Sequence, residues 1–452
     1  MISAVKVHFV GVAGTGMSAL AQLRAFSGDE VTGSDRLADH DGLGAERARL
    51  EAAGIKLFAQ DGGAITRETR RVVASTAIEK DNRDLARAAE LGVSVVHRAD
   101  ELAELAAARR TVAIAGTSGK STVTAMTFHV LQETGRSPSL AAGANLLSLR
   151  RRGLVGNAWR GESDLLVMEA DESDGTLTRY RAEVGVLLNI SKDHKELSEL
   201  GVIFRTFHER SKRFVACADA PELADFLSGA RTYGFGSGDL RGTDLALTRD
   251  GSTFRVAGAA VRVPAPGRHN AMNALAALAA CAALDVPVAD AAAALATFPG
   301  VARRFEVVGT ARGVEVVDDF AHNPEKVRAV LAAARLRARR VLAVFQLHGF
   351  APARFLKDEF IAAFCDSLGP DDRLWLPDIY YVGGTAAKDV SAADYAAALR
   401  ARGVKALREP ERARIAAQIA AEAKPGDLVL VMGARDASLS AFAADILKGL
   451  QS

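Results

Sequence analysis

A short glycine-rich segment at residues 116–121 has the residue types that bind a nucleoside polyphosphate. The backbone N–H groups of such a loop can wrap a phosphate, and the N-terminus of a following helix adds favourable partial charge. Lys120 would meet the β and γ phosphates, and the Ser121 hydroxyl would complete a Mg²⁺ shell. The spacing is shorter than the usual phosphate-loop pattern, and a glycine turn with a surface lysine is the alternative. The residues predicted to bind ATP here are Gly116, Thr117, Ser118, Gly119, Lys120 and Ser121.

An acidic segment follows the apolar run 165–168 and has four carboxylates within six residues. Like charges this close repel one another unless a cation relieves them. Mg²⁺ prefers oxygen ligands and keeps several waters, so one or two carboxylates suffice. Glu169, still on the predicted strand, is the best candidate ligand, and Glu172 is the next. A solvated acidic loop is the alternative.

Two further segments carry candidate ligands. His194 follows the apolar run 184–190 and would bind a metal or take part in catalysis, with a structural role as the alternative. Asn270 and Asn273 open an alanine-rich helix, and an asparagine amide offers the donor and acceptor that adenine requires. Asn270 could instead cap that helix.

A basic and an acidic segment flank the predicted strand 314–319. Arg304 lies upstream of the strand, while Asp319 ends it and His322 follows it. An arginine near a transferred phosphate would stabilise the spreading negative charge. The alternative is that Arg303 and Arg304 only make the protein surface soluble.

The first glycine-rich loop has the pattern G-x-x-G-x-G at residues 11–16, after the first apolar run. A dinucleotide oxidoreductase would have G-x-G-x-x-G at this place. The physics is the same, because a diphosphate would lie on a helix N-terminus, with the acid Asp35 near a ribose or sugar. A nicotinamide-dependent oxidoreductase is therefore an alternative function, although it leaves the second glycine loop unexplained.

Seven short, β-branched-rich apolar runs position these residues, and they read as strands buried on both faces of parallel sheets. They are residues 5–10, 111–115, 165–170, 184–190, 314–319, 340–346 and 427–433. The segments between them have helical periodicity, so the fold class is α/β. Ligands of such sheets bind beyond the carboxyl ends of the strands, where the candidate residues lie.

A chain of 452 residues is too long for one core, and its length predicts about two to four domains. Connectors near residues 104–110 and 300–304 predict domains at 1–107, 108–299 and 300–452. Residues 232–263 have alternating short strands and turn residues, which predicts a small β insertion.

The composition argues against several functional classes. A net charge of +2 and the lack of a basic run weaken a nucleic-acid partner. Three widely spaced cysteines form neither a disulfide framework nor a zinc pattern, and they fit a reducing compartment. The sequence begins without a basic leader, and no stretch has the length of a membrane-spanning helix. A cytoplasmic location without a membrane partner is therefore expected.

The order and spacing of ten segments resemble the Mur ligase family over nearly the whole chain. The segments are GVAGTGMSALA, GSD, VVASTAIEKDN, AGTSGKST, MEADESDG, NISKDH, APGRHNAMNA, RRFEVVG, DDFAHNPEK and FQLHGF. The resemblance implies a UDP-sugar-binding Rossmann-like domain, a central phosphate-loop ATPase domain and a C-terminal Rossmann-like domain. It also implies a reaction in which ATP converts a muramoyl carboxylate to an acyl phosphate, which an amine then attacks. The branch most similar to this chain joins L-alanine to UDP-N-acetylmuramate.

The resemblance also implies roles for individual residues. Lys120 would hold phosphate, Ser121 and Glu169 would hold one Mg²⁺, and His194 would help to hold a second. Asn270 and Asn273 would face adenine, Arg304 would reach the γ-phosphate, and Asp319 would belong to the nucleotide site. The UDP-sugar would be received by Gly11, Gly14, Thr15, Gly16, Met17, Ser18, Ser34, Asp35, Ser75, Thr76 and Ala77. Further substrate contacts would come from Glu172, His322, His348 and Arg354.

One departure from the family pattern leaves the amine substrate open. In the alanine branch a histidine–arginine pair and a second arginine bind the amino acid carboxylate, a geometrically demanding contact. Here His348 is followed by Gly349, and the next arginine, Arg354, is displaced. A ligase that adds a whole tripeptide to the same sugar acid is therefore an alternative. A non-catalytic, nucleotide-gated binding protein is another.

Overall fold

The computed structural model describes residues 4–40, 42–172, 176–191, 197–381 and 387–451. The first eleven strands are β1 (Lys6–Val10), β2 (Glu30–Ser34), β3 (Ile55–Phe58), β4 (Thr69–Ala74), β5 (Ser94–His97), β6 (Arg110–Ala115), β7 (Ser139–Ala141), β8 (Ala158–Trp159), β9 (Leu165–Glu169), β10 (Val184–Leu187) and β11 (Arg213–Cys217). The others are β12 (Arg231–Gly234), β13 (Leu240–Thr248), β14 (Gly251–Val256), β15 (Ala259–Val263), β16 (Glu306–Ala311), β17 (Val314–Asp319), β18 (Val341–Gln346), β19 (Arg373–Leu376), β20 (Ala406–Arg408) and β21 (Leu428–Gly433).

Helices alternate with these strands along most of the chain. They are α1 (Thr15–Phe26), α2 (Ala45–Ala52), α3 (Arg83–Leu91), α4 (Arg98–Ala107), α5 (Lys120–Glu133), α6 (Leu147–Arg150), α7 (Leu197–Glu209), α8 (Arg268–Ala282), α9 (Val288–Leu295), α10 (Pro324–Arg335), α11 (Phe350–Phe355), α12 (Lys357–Ser367), α13 (Ala392–Arg400), α14 (Arg412–Glu422) and α15 (Leu439–Gln451). Short 3-10 turns lie at Ala38–His40, Thr176–Arg179 and Pro221–Phe226.

The chain divides into two compact units. The first consists of Met1–Asp244, Phe254–Arg262 and Met272–Val301. The second consists of Leu245–Thr253, Val263–Ala271 and Ala302–Ser452.

A five-stranded parallel sheet in the first unit has the order β3-β2-β1-β4-β5. Strand β1 forms because Val7, Phe9 and Val10 are apolar and become fully buried between helix layers. The strand order reverses at β1 and β4. At such a switch point the loops after the two strands diverge and leave a crevice for a ligand.

A ten-stranded sheet has the order β15-β14-β13-β12-β11-β10-β6-β9-β7-β8. Strands β7, β9, β6, β10 and β11 run parallel, and the edge strand β8 pairs antiparallel with β7. Because β6 lies between β10 and β9, the loops that follow these three strands open side by side. The segment predicted as a small β insertion, residues 232–263, extends this sheet, since β12 pairs parallel with β11.

The second unit contains a six-stranded sheet with the order β16-β17-β21-β18-β19-β20, in which only the β16–β17 pair is antiparallel. All six residues of β18 and of β21 are buried, as a continuous apolar run predicts. One apolar core lies on each face of the sheet.

Each of the seven apolar runs forms a strand close to its predicted bounds, although the run 184–190 leaves the sheet after Leu187. The predicted α/β class is confirmed. Among the described residues, no helix combines the length and apolarity needed to cross a bilayer.

Candidate active site

The phosphate loop connects β6 to α5 in the middle of the ten-stranded sheet. Gly116 and Gly119 have φ values of +131° and +90°, which residues with a side chain rarely adopt. A Cβ atom on Gly119 would lie only 2.6 Å from Oδ1 of Asn273, so this amide packs against the loop. Helix α5 begins after Gly119 without a side-chain cap. A helix N-terminus of this kind suits an anion.

The segment after β10 clamps the phosphate loop. The N–H of Ser118 donates to Oδ1 of Asn189 at 2.9 Å, and Nδ2 of Asn189 donates back to the Ser118 carbonyl at 3.0 Å. The Thr117 hydroxyl accepts from the N–H of Ser191 at 2.9 Å and donates to its carbonyl at 3.2 Å. These reciprocal bonds hold the loop in one conformation before a ligand arrives.

Lys120 points back across the loop that precedes it. Its Nζ donates to the Gly116 carbonyl at 2.7 Å and to Oε2 of Glu172 at 2.8 Å. Burial by itself would lower the pKa of Lys120, but nearby carboxylates, Glu172 first among them, outweigh it and raise that pKa. Lys120 is therefore positively charged, and the Glu172 carboxylate holds it beside the loop where the sequence predicts a phosphate.

Two of the predicted metal ligands belong to the same group of loops. Glu169 ends β9, and its Oε2 accepts from the N–H of Gly143 at 3.0 Å. Ser121 lies in the first turn of α5. A carboxylate and a hydroxyl are oxygen ligands of the kind that Mg²⁺ prefers, so the chemistry of this donor set fits the ion. The third predicted ligand, His194, lies outside the described residues.

The two asparagines predicted to face adenine differ in their surroundings. Asn273 lies against Gly119, as described above. Asn270 is 6% exposed, and its Nδ2 donates to the Pro266 carbonyl at 2.8 Å. Because α8 already begins at Arg268, Asn270 lies inside the helix and does not cap it.

In the five-stranded sheet, the glycine loop after β1 is tied to the end of β2. The N–H groups of Gly11 and Val12 both donate to the Ser34 carbonyl, at 2.8 and 3.0 Å. The N–H of Ala13 donates to Oδ2 of Asp35 at 3.0 Å. The sequence predicted Asp35 as a ligand contact, and the structure shows that it also holds the loop.

The loop after β4 borders the same crevice. A Cβ atom on Gly11 would come within 3.1 Å of Cδ1 of Ile78, so the two loops lie close together. Thr76 and Ala77 are exposed there, and the Ser75 hydroxyl accepts from the N–H of Ala77 at 3.3 Å. Helix α1 begins at Thr15, after Gly14, again without a side-chain cap.

Three residues predicted to receive the UDP-sugar point away from solvent. Met17, Ser18 and Ser34 are only 4%, 2% and 0% exposed. Met17 packs in the core of the sheet, and the hydroxyls of Ser18 and Ser34 bind protein groups. In this structure the side chains of these three residues support the loop from inside, so a contact with the sugar at these positions would come from the backbone.

A buried polar network lies beneath this loop. Oδ2 of Asp84 accepts from the Ser34 hydroxyl and lies 3.5 Å from Nε2 of His8, while Nδ1 of His8 lies 2.8 Å from the Thr32 hydroxyl. Oδ1 of Asp84 accepts from the N–H of Gly62 at 2.8 Å. Burial would raise the pKa of Asp84, but hydrogen bonds from His8 and Ser34 outweigh it and lower that pKa. No local pattern predicts this network, because Asp84 lies 50 positions from Ser34 and more than 70 from His8.

In the second unit, the two adjacent arginines have different surroundings. The Arg303 guanidinium donates to Oδ1 of Asp318 at 3.2 Å and to the Gly433 carbonyl at 2.7 Å. The Arg304 guanidinium lies over the Phe320 ring, 4.6 Å from its centroid. Both guanidinium groups thus lie near the Phe320 ring, since that of Arg303 is 5.2 Å from its centroid. Arg303 is in addition bonded to residues of β17 and β21.

Asp319 holds the turn that carries Arg304. Its Oδ2 accepts from the N–H of Phe305 and its Oδ1 from the N–H of Ala321, both at 2.7 Å. Burial raises the pKa of Asp319 to about 6, against the opposing charge of Arg304. Arg303 and Phe305 have φ values of +57° and +50°. Such strain persists only where the surroundings enforce it, as these hydrogen bonds do.

Three of the residues predicted to contact substrate, His322, His348 and Arg354, also lie in the second unit. The rings of His322 and His348 are 5.7 Å apart, and Nδ1 of His322 lies 2.8 Å from the Phe320 carbonyl. Burial lowers the pKa of His322, and the charge of Lys326 lowers it further. Arg354 lies on α11, and its guanidinium binds the Asp389 carboxylate at 2.8 Å.

Three family models match the chain in succession. They are the Mur ligase family catalytic domain at residues 6–110, the Mur ligase middle domain at 114–281 and the Mur ligase glutamate ligase domain at 303–435. A UDP-N-acetylmuramate–L-alanine ligase of Pelotomaculum thermopropionicum is 35% identical over 450 residues, which cover 95% of each chain.

Solved structures have the same fold. The chain matches a UDP-N-acetylmuramate–alanine ligase of Thermotoga maritima with a TM-score of 0.81 at 24% identity, over 99% of both chains. It matches a murein peptide ligase of Psychrobacter arcticus with a TM-score of 0.70 at 22% identity, also over 99% of both. The predicted three-domain architecture is confirmed, and the chain belongs to the Mur ligase family.

Proposed function

We propose that the chain is an ATP-dependent, ADP-forming ligase that joins L-alanine to UDP-N-acetylmuramate in the cytoplasm, as a step of peptidoglycan precursor synthesis. The observation that carries this proposal is the ion pair between Lys120, at the end of the phosphate loop, and Glu172. The Glu169 carboxylate is near enough to contribute to the charge around Lys120. The choice of substrates is supported by the relative that is named for this activity, which is 35% identical and is covered over 95% of both chains.

The chemistry has two steps. A carboxylate oxygen of the sugar acid bonds to the γ-phosphorus of ATP, and the bond to the β-phosphate oxygen breaks to release ADP. The neutral amine nitrogen then bonds to the acyl carbon, and inorganic phosphate leaves with the bridging oxygen. One proton of the amine passes to solvent, and the other stays on the amide nitrogen. Lys120, once released from Glu172, stabilises the charge on the transferred phosphate.

A magnesium ion fits the oxygen donors on the loops after β6 and β9. We assign one ion to Ser121 and Glu169, and we assign His194 to a second ion. When bound, the ion neutralises phosphate charge, so that a polyanion and a carboxylate can approach each other.

The remaining assignments extend the sequence predictions. Asn270, Asn273, Arg304 and Asp319 are assigned to ATP. In the first sheet, the exposed loop residues and the backbone of the glycine loop are assigned to the UDP-sugar. Domain boundaries are proposed after residues 107 and 299.

For the amine substrate there are two candidates, L-alanine and a tripeptide. Arg354 binds Asp389 on an exposed surface, so an amino acid carboxylate would have to displace that partner. The fold likeness to a murein peptide ligase keeps a tripeptide acceptor as the second candidate. His322, His348 and Arg354 are assigned to the amine in either case.

The test is phosphate release from ATP with UDP-N-acetylmuramate and a panel of amines. The panel contains L-alanine, glycine, L-serine and the tripeptide L-alanyl-γ-D-glutamyl-meso-diaminopimelate. We expect release with L-alanine at least about tenfold above the other amines, since a single missing or extra group shifts selectivity by about that factor. Preference for the tripeptide would replace the alanine assignment, and silence with every amine would refute a ligase.

A further inference from the structure

A segment of the ten-stranded sheet completes the apolar core beneath the first glycine loop. Val155, just before β8, is 5% exposed and belongs to one cluster with Val7 and Phe9 of β1 and Met17 of α1. The segment that carries Val155 is therefore fixed against helix α1, which begins at the glycine loop.

Asn157 lies two residues further on and is fully buried. Its Nδ2 donates to the Thr15 carbonyl at 2.6 Å and to the Ser18 hydroxyl at 2.8 Å. Its Oδ1 accepts from Nε2 of Gln22 at 2.8 Å. All three partners lie on α1, and two of them are in its first turn, so this single amide sets the position of that turn.

The backbone of Asn157 leads to the other site. Its carbonyl accepts from the N–H of Ala142 at 2.8 Å. The next N–H along the chain, that of Gly143, donates to Oε2 of Glu169 at 3.0 Å. A continuous path of hydrogen bonds thus joins the first turn of α1 to the carboxylate assigned to the metal.

Other contacts between α1 or α2 and this segment lie nearer the surface. Arg150 pairs with Glu46, and both side chains are more than a quarter exposed. Arg160 donates to the Phe26 carbonyl from an exposed position. Exposed charged contacts are flexible and fix geometry weakly. A buried and fully bonded amide fixes it much better.

We propose that Asn157 is a positioning residue, which sets the distance between the UDP-sugar site on the first sheet and the phosphate loop on the second. This inference rests on the proposed function, because the acyl phosphate forms only if the sugar carboxylate reaches the γ-phosphorus. Asn157 touches neither reacting group; it acts through α1 on one side and through Glu169 on the other.

The test compares Asn157→Ala and the milder Asn157→Ser with Gln22→Met. Gln22→Met removes buried bonds from the same cluster, yet it leaves both Asn157 donors and the path to Glu169 in place. In the Asn157 variants we expect kcat to fall about 30- to 100-fold, as a misplacement of about 1 Å does, while KM for ATP changes less than about threefold. In Gln22→Met we expect kcat within about threefold of the unchanged protein, at a similar loss in Tm.

Equal kcat losses in Gln22→Met and Asn157→Ala at equal loss of Tm would overturn the proposal, because the effect would then be general destabilisation. Unchanged kcat in both Asn157 variants would overturn it as well. A wild-type chain that releases no phosphate with any amine would refute the proposed function instead.

A measurement of the distance between two spin labels tests the positioning role of Asn157 independently of catalytic activity. Spin labels at Glu90→Cys on α3 and at Asp225→Cys in the 3-10 turn Pro221–Phe226 would lie at exposed positions beside the first and the second sheet. Cys365 would be replaced by serine, and the two buried cysteines would be retained. We expect the distribution of label distances to be narrow in the parent chain and in Gln22→Met, and at least about twofold broader in Asn157→Ala. Equal widths in all three would sink the positioning role.

Discussion

The two glycine loops of the first unit have the same local architecture, a buried parallel strand followed by glycines and an uncapped helix, but they are supported in different ways. The loop after β1 is supported by carboxylates, through Asp35 on its backbone and Asp84 under Ser34. The loop after β6 is supported by the neutral side chains of Asn189 and Thr117. Because neutral side chains hold the second loop, Lys120 and Glu172 are not needed to support its backbone and can interact with a ligand. Both loops therefore have a shape that suits a phosphate group. They differ in the charged residues beside them, and on the proposed function this difference separates a loop that only binds from one that takes part in chemistry.

Removal of the lysine should separate the two loops most sharply. In Lys120→Ala we expect ADP formation to fall about 10³-fold, because the transferred phosphate loses its main stabilising charge. The affinity for UDP-N-acetylmuramate, measured by calorimetry, should stay within about twofold, because the first loop keeps all its contacts. Lys56→Ala, at an exposed position on β3, is the control. Near-normal turnover in Lys120→Ala would contradict the role of this residue.

Loss of the neutral clamp should weaken nucleotide binding less severely. Asn189→Ala removes two reciprocal hydrogen bonds from the phosphate loop, each worth about 1 kcal/mol, so KM for ATP should rise about tenfold or more. Asn82→Ala is the matched control, since this asparagine accepts two N–H groups at the start of α3. An equal rise in both variants would show that the clamp has no specific role.

Removal of Asp35, which supports the loop after β1, should weaken binding of the UDP-sugar. Asp35→Ala removes the acceptors for the N–H groups of Ala13 and Leu37. We expect the Kd for UDP-N-acetylmuramate to rise about five- to tenfold, by the loss of about 1 kcal/mol of loop support, with the Kd for a non-hydrolysable ATP analogue unchanged. Parallel weakening of both ligands would mean that the loops do not act independently.

The smallest effect should appear in the pH dependence of stability. The folded-state pKa of Asp84 is lowered, so its charged form stabilises the fold above the ordinary value of 3.8, and this contribution is lost as the pH falls below that value. In Asp84→Asn the free energy of unfolding should therefore fall less steeply between pH 5 and pH 3, as measured by urea titration. If the free energy of unfolding fell with pH as steeply as in the parent chain, Asp84 would not contribute to the acid sensitivity of the fold.

The strands and the two glycine loops could be predicted because both depend on local pattern. Continuous apolar runs become buried parallel strands, and glycines before a helix leave little choice of conformation. Local pattern does not tell which side chains of a loop face inward. For this reason Met17, Ser18 and Ser34 were predicted as ligand contacts, whereas the structure buries their side chains.

Residues that act across long sequence separations could not be predicted. Asn189 clamps a loop about 70 positions earlier, and Asn157 reaches α1 across more than 130 positions. A polar residue directly after a buried strand was the only available signal for Asn189. Asn157 had none, because β8 contains just two residues.

The place of Val155 has a consequence for the order in which the protein is made. The last strand of the first sheet ends at His97, so the ribosome adds 58 further residues before Val155 is made, at about 5–20 residues per second. Until then, the apolar residues that Val155 covers in the folded chain lack this contact. A fragment that stops at residue 107 would lack it permanently, and we expect it to be less soluble.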